Sequence, residues 1–185
     1  MSDCPLNQAL QNTLAIVRKV QPGDLAAPTP CASWNVSALV SHFVGSARWW
    51  AAVVAGQEAP ADADYAAGDF VAAYEASIET AVAAFAAEGA LDRTVRLPFG
   101  ELPGAVVRDL AAMEQFTHGW DLARAIGSPT DLDPGLAAGL LSKARLAITD
   151  SFRGPDGVAL FGPPTPVPVG AGPADQLAAF LGRRV

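Results

Sequence analysis

Apolar residues recur three or four apart through several separate stretches of this chain, and Gly or Pro closes each stretch. That period is the mark of amphipathic α-helices, and strands, which alternate with a period of two, cannot use it. Leu6, Leu10, Leu14 and Val17 give a first helix that runs toward Val20 and stops at "QPGDL". In "TPCASWN", Asn35 is the natural N-cap for a second helix over residues 36–55, carrying Val36, Leu39, Phe43, Trp50 and Val54 up to the stop at Gly56. A third begins near Asp69 with Phe70, Tyr74, Ile78, Val82 and Phe85, and ends before Gly89. A fourth opens around Gly104 and ends before Gly127, and a fifth has Asp133 as N-cap and Pro134 at its first position.

Between the third and fourth helices, "TVRLPFGELPG" alternates and then turns, which reads as a short extended segment, either a hairpin or an irregular crossover. After Arg153 the chain is rich in Gly and Pro, with "PVPV" as a possible edge strand and "PADQLAAFLG" as a last short helix. The expected fold is all-α: a four-helix bundle with an additional helix, a short extended segment and a Gly/Pro-rich C-terminal tail. We read residues 1–185 as one domain, with 153–185 an irregular tail packed on it.

Composition bounds the function. Hydrophobic residues make up 51% of the chain and charged residues 17%, without an apolar run of bilayer length. A formal net charge of -7 argues against nucleic acid, whose phosphates demand a basic face. The start "MSDCPLNQAL" lacks the basic and apolar regions of a secretory signal, so the expected location is cytoplasmic. Cys4 and Cys31 are the only cysteines and form no C-x-x-C pair.

The informative residues are polar ones on apolar stripes. Glu114 and His118 lie one turn apart, about 6 Å along the axis, in line with Val107, Leu110, Ala111, Leu122 and Ala125. His42 shares its face with Leu39, Ser46, Trp49 and Val53. A buried carboxylate is costly unless paired or bound to a metal, and imidazoles on facing helices beside it complete a donor set for a divalent ion. The same residues also fit a solvated Glu/His pair on one helix and a separate core histidine on another.

Taken together, "TPCASWNVSALVSHFVGSARWWAA", "EQFTHGWDLARAIG" and the closing "LGRR" resemble the mycothiol-dependent maleylpyruvate isomerase N-terminal family, within the DinB/YfiT-like metalloenzymes. The resemblance runs from about Asn7 onward, and it implies a DinB-like bundle with His42, Glu114 and His118 as ligands of a divalent metal, zinc first, nickel or iron in reserve. It also implies a low-molecular-weight thiol of the mycothiol type as cosubstrate, activated for transfer to an electrophile or for isomerisation, and pairing of the bundle as a homodimer. The isomerases carry a further C-terminal domain where this chain has its Gly- and Pro-rich tail. A non-catalytic metal-binding or stress-related bundle is the alternative function.

Three protein ligands leave a tetrahedral ion an open position, the pattern of a catalytic site. Asp121, three residues after His118, either orients that histidine through its other ring N–H or pairs in solvent with Arg124. Ser46 and Trp49 are candidate pocket residues, Trp49 serving mainly as packing. Cys31 precedes His42 by eleven residues, about 16 Å if both were helical, and is read as a small buried residue.

Overall fold

In the computed structural model, which describes residues 4–155 and 158–185, the chain is mostly helical with one two-stranded sheet. The helices are α1 Pro5–Val17, α2 Val36–Ala55, α3 Phe70–Ala86, α4 Gly104–Ala125, α5 Pro134–Ala147 and α6 Pro173–Phe180; the strands are β1 Thr94–Leu97 and β2 Gly100–Pro103.

Local chemistry sets most of these ends. Asn35, Asp69 and Asp133 each accept a hydrogen bond from the backbone N–H three residues on, at 2.9–3.0 Å. Each thereby satisfies one of the donors that a helix start leaves unpaired. Gly56 closes α2 with φ +68°, a left-handed conformation that glycine adopts without a side-chain penalty. α1 ends at Val17, three residues before the expected Val20, because Lys19 and Val20 donate to Ile16 and Val17 in a tightened last turn.

The segment 94–103 is a true hairpin, with Val95 opposite Leu102 and Leu97 opposite Gly100. It delivers the chain directly into α4, whose first N–H groups at Gly104 and Ala105 bond Arg93 and Leu91 carbonyls at 2.9 Å. A Cβ at Gly104 would lie 1.9 Å from the Ala90 carbonyl oxygen, so only glycine permits this docking. The "PVPV" stretch is not a strand. Its two prolines lack N–H donors, and Val167 and Val169 stand exposed.

α1 packs on α4 and α3, and α2 on α3 and α4, with the core between them. Gly119 lets α1 and α4 approach closely, since a Cβ there would meet Thr13 Oγ1 at 2.4 Å. That hydroxyl donates to the Gln115 carbonyl at 2.8 Å, and the Gln115 side chain, fully buried, accepts from Tyr74 at 2.6 Å and donates to Ser46 at 2.7 Å. Burial and the nearby Glu114 charge push the Tyr74 phenol well above its ordinary pKa, so it remains a donor.

The tail is tied down by specific bonds. Trp120 Nε1 on α4 donates to Asp175 of α6 at 2.8 Å. Arg153 donates to the Gly162 and Phe180 carbonyls, both at 2.8 Å, and its guanidinium lies over the Phe180 ring. Gly162 and Gly182 cross so closely that a Cβ on Gly182 would sit 2.6 Å from the other's Cα. The consequence is that Arg183 reaches Asp121 in the last turns of α4.

Candidate metal centre

α4 is buried nearly all round, and its two faces do different things. Val107, Ala111, Gln115 and Leu122 enter the core. A quarter-turn away, Val106, Leu110, Glu114 and His118 face a cavity of about 890 Å³. His42 reaches the same cavity from α2, so the structure brings the three expected donors together.

His42 Nε2 stands 2.6 Å from Glu114 Oε1, and the other carboxylate oxygen accepts from Trp50 Nε1 at 3.3 Å. The His42 and His118 rings meet edge to face with centroids 4.9 Å apart. Trp34 covers both, its centroid 4.4 Å from His42 and 5.3 Å from His118. Burial raises the Glu114 pKa, but the His42 hydrogen bond, the two imidazole charges and the Ser46 hydroxyl together outweigh it, leaving the net shift downward. Glu114 is therefore an ionised donor at neutral pH.

Behind His118 lies a second group. Asp121 Oδ2 is 2.9 Å from His118 Nδ1, and Arg183 forks onto the same carboxylate at 3.2 and 3.0 Å. Cys31 Sγ donates to Asp121 Oδ2 at 3.2 Å and lies 3.7 Å from His118 Nδ1. Burial raises the Asp121 pKa, but Arg183 and His118 overcome it and hold the carboxyl at about 2. Arg183 is in turn raised: burial opposes its charge, and Asp121 more than compensates. An ionised Asp121 accepts the Nδ1–H of His118, which assigns the tautomer and leaves the Nε2 lone pair for the cavity.

Two donor clusters thus share His118: His42 with Glu114, and Cys31 with Asp121, each set having its ligand atoms within 4.8 Å of one another. The first fits a divalent ion. Its donors are two imidazoles and a carboxylate; tetrahedral bonds of about 2.0–2.1 Å place ligand atoms about 3.3 Å apart. The His42–Glu114 contact at 2.6 Å needs to open by less than an ångström. The second does not fit, because the Arg183 guanidinium, 3.0 Å from the Asp121 carboxylate and 3.6 Å from the Cys31 sulfur, already supplies the positive charge.

Of the other candidate side chains, Asp121 bonding His118 and Trp49 packing follow readings that the spacing offered, and Ser46 and Cys31 do not. Asp121 is fully buried and bonded to Arg183, while Arg124, the solvated partner open to it in the sequence, is exposed. Trp49 does not line the cavity; it packs against Trp50 at 4.7 Å, and Trp50 is the tryptophan that meets Glu114. Ser46 is likewise not a lining residue and accepts from Gln115 beneath Glu114. Cys31 is half-buried at the site, not a small core residue, because the turn before α2 folds back. Thr29 bonds the Cys31 N–H and the Trp34 carbonyl, and Val36 and Ser37 donate to Ala27 and Leu25, so the helical distance to His42 does not apply. The reversal of this turn has no signal in the periodicity. Arg183 was visible only as part of "LGRR".

Fold and donor set define a mostly helical chain with a group of candidate metal ligands beside a cavity. The chain belongs to the mycothiol maleylpyruvate isomerase N-terminal domain family, whose model matches residues 6–123. It is similar to two proteins described as uncharacterized, Rv0738 and MT0763 of Mycobacterium tuberculosis strains H37Rv and CDC 1551, each 42% identical over 175 residues that cover 92% of this chain and 91% of the relative. No solved structure matches. His42, Glu114, His118 and Asp121 fall inside the matched range, and Arg183 falls outside it. Among the described residues, no helix is long and apolar enough to cross a membrane.

Proposed function

We propose that this protein is a divalent-metal-dependent enzyme, a DinB-like four-helix bundle that activates a low-molecular-weight thiol of the mycothiol type for transfer to, or isomerisation of, an electrophilic small molecule. The observation that carries the reading is the meeting of His42, Glu114 and His118 donor atoms within 4.8 Å at a cavity large enough for a small-molecule ligand. Zinc is the metal that two imidazoles and one carboxylate with an open position suit first, with nickel or iron in reserve. When bound, such an ion supplies Lewis acidity and lowers the pKa of a thiol or water that it touches.

The chain's own residues do the rest. Asp121 fixes the His118 ring, and Arg183 fixes Asp121. Trp50 holds one Glu114 oxygen and leaves the other toward His42. Trp34 shields both imidazoles from water on one side. In the reaction the thiol releases its proton and its sulfur pair forms the carbon–sulfur bond. The electrophile's π pair moves to its own acceptor group, which takes up a proton in return. Transfer keeps the adduct, whereas isomerisation reverses the addition after a bond rotation.

The test is elemental analysis of untagged, dialysed protein, wild type beside His118→Ala and Glu114→Ala. Near-stoichiometric metal in the wild type, lost in both variants, supports the site. Absence of metal after incubation with zinc, nickel or iron overturns it. Saturable thiol binding that depends on the metal then separates the enzyme from a bundle in which an ion only stabilises the fold.

A further inference from the structure

The cavity beside His42, Glu114 and His118 has two unlike ends. Every titratable side chain that lines it among the described residues, Cys31, His42, Glu114, His118 and Arg183, belongs to the two donor groups or to the guanidinium that braces them. Polarity is therefore gathered at one end. Toward the start of α4 the same face continues with Met113, Leu110 and Val106, at helical spacings of three and four. At about 1.5 Å per residue Val106 lies about 12 Å from Glu114 along the axis, and no polar α4 side chain lines the stretch between them.

The other walls match. Phe99 and Leu102 of the hairpin line the cavity just before α4 begins, and Ile148, Phe152 and Leu160 line it from the chain that follows α5. Phe99, Val106, Phe152 and Leu160 remain 40–58% exposed. Single exposed apolar residues are ordinary, but here three segments distant in sequence bring large apolar side chains to one cavity. A pocket of that composition holds a ligand by apolar burial and orients it with its few polar groups. The proposed ion sits among those groups and gives a ligand's polar head, charged or neutral, its partner.

We infer that the electrophile is an amphiphile, with its polar reactive head at the His42, Glu114 and His118 end and an alkyl or aryl body along Met113, Leu110 and Val106. At about 1.2 Å per bond of an extended chain, that stretch takes a body of about eight to ten carbons. The inference rests on the thiol-transfer reading and adds a substrate class to it. A water-soluble low-molecular-weight thiol is polar along its length, so the apolar stretch falls to its reaction partner.

Straight-chain hydroxamates test the length of that body, because their head binds zinc and their tail grows one methylene at a time. Titrated calorimetrically into the zinc-loaded full chain, they should gain about two- to fourfold in affinity per methylene from acetohydroxamate to octanohydroxamate, and level off once the tail outgrows the cavity. Val106→Glu lies in the first turn of α4, where a carboxylate favours the helix, and at a half-exposed position. It should cut the ratio of octanohydroxamate to acetohydroxamate affinity at least about tenfold. Affinity that does not change with chain length, or an unchanged ratio in Val106→Glu, would overturn the inference. Straight-chain alkanols report without metal: in chelator-treated protein the gain per methylene should persist, and its absence overturns the inference too. Failure of the wild type to take up zinc counts against the thiol-transfer reading, and the alkanol series then decides on the apolar body alone.

Discussion

Two carboxylates stand two turns apart on α4, each touching a histidine, and they live in opposite surroundings. Asp121 is fully buried and accepts from Arg183, His118 and Cys31, so the chain itself neutralises it. Glu114 faces the cavity with His42, Trp50 and the Ser46 hydroxyl about its oxygens, and no arginine or lysine reaches it among the described contacts. The comparison bears on where the proposed ion would sit. A carboxylate whose guanidinium partner is built in serves as a brace, and one that faces a cavity without such a partner is the candidate donor for the proposed ion.

Exchanging the donor should have the largest effect. Glu114→Gln should reduce bound metal to background in elemental analysis while the protein remains folded, and retained stoichiometric metal would erase the distinction between the two carboxylates. Breaking the brace comes next. Arg183→Ala leaves Asp121 buried without its cation, a change that costs about 3–5 kcal/mol, or a fall in melting temperature on the order of 10 °C. A calorimetric loss under about 1 kcal/mol would show that Asp121 is not held as described. Asp121→Asn should keep metal binding but weaken it about 10–100-fold in a chelator competition, because the His118 ring loses its ionised acceptor.

Acid offers a milder way to release the brace. Asp121 falls from an ordinary value near 3.8 to about 2 in the folded protein. A depressed carboxyl stabilises fully above its unfolded pKa and loses that contribution as pH falls through its folded pKa. Stability should therefore drop by about 2 kcal/mol between pH 4 and pH 2, measured by denaturant titration, with Asp121→Asn flattening that slope. The smallest effect falls on the core side of the same helix. Tyr74→Phe leaves the buried Gln115 oxygen without its donor, costs about 1–2 kcal/mol, and should not change metal content.

The helices were legible because their signals are local. Asn35, Asp69 and Asp133 cap where their side chains and the following periodicity say they must. Glu114 and His118 were legible as inward residues, but the pattern alone left them open between a metal site and an ion pair, and the family motifs narrowed it. Trp49 and Trp50 show the limit: one residue is a rotation of about 100°, so the choice between cavity and flank turns on a helix orientation that one sequence leaves loose. Cys31 and Arg183 were illegible for a different reason. Both arrive through irregular backbone, the Thr29 turn and the Gly162–Gly182 crossing, whose directions no periodicity encodes.

The bond between Cys31 and Arg183 spans 152 positions of the chain. Arg183 follows Asp121 by 62 positions, so at about 5–20 residues per second a ribosome delivers it roughly 3–12 s after Asp121. Through that interval Asp121 has its histidine but not its guanidinium, and burying it bare would be costly. Translation thus imposes an order of events: helices α1 to α4 can assemble while the nascent chain is still growing, and the brace locks only when the tail arrives to neutralise the carboxylate already waiting for it.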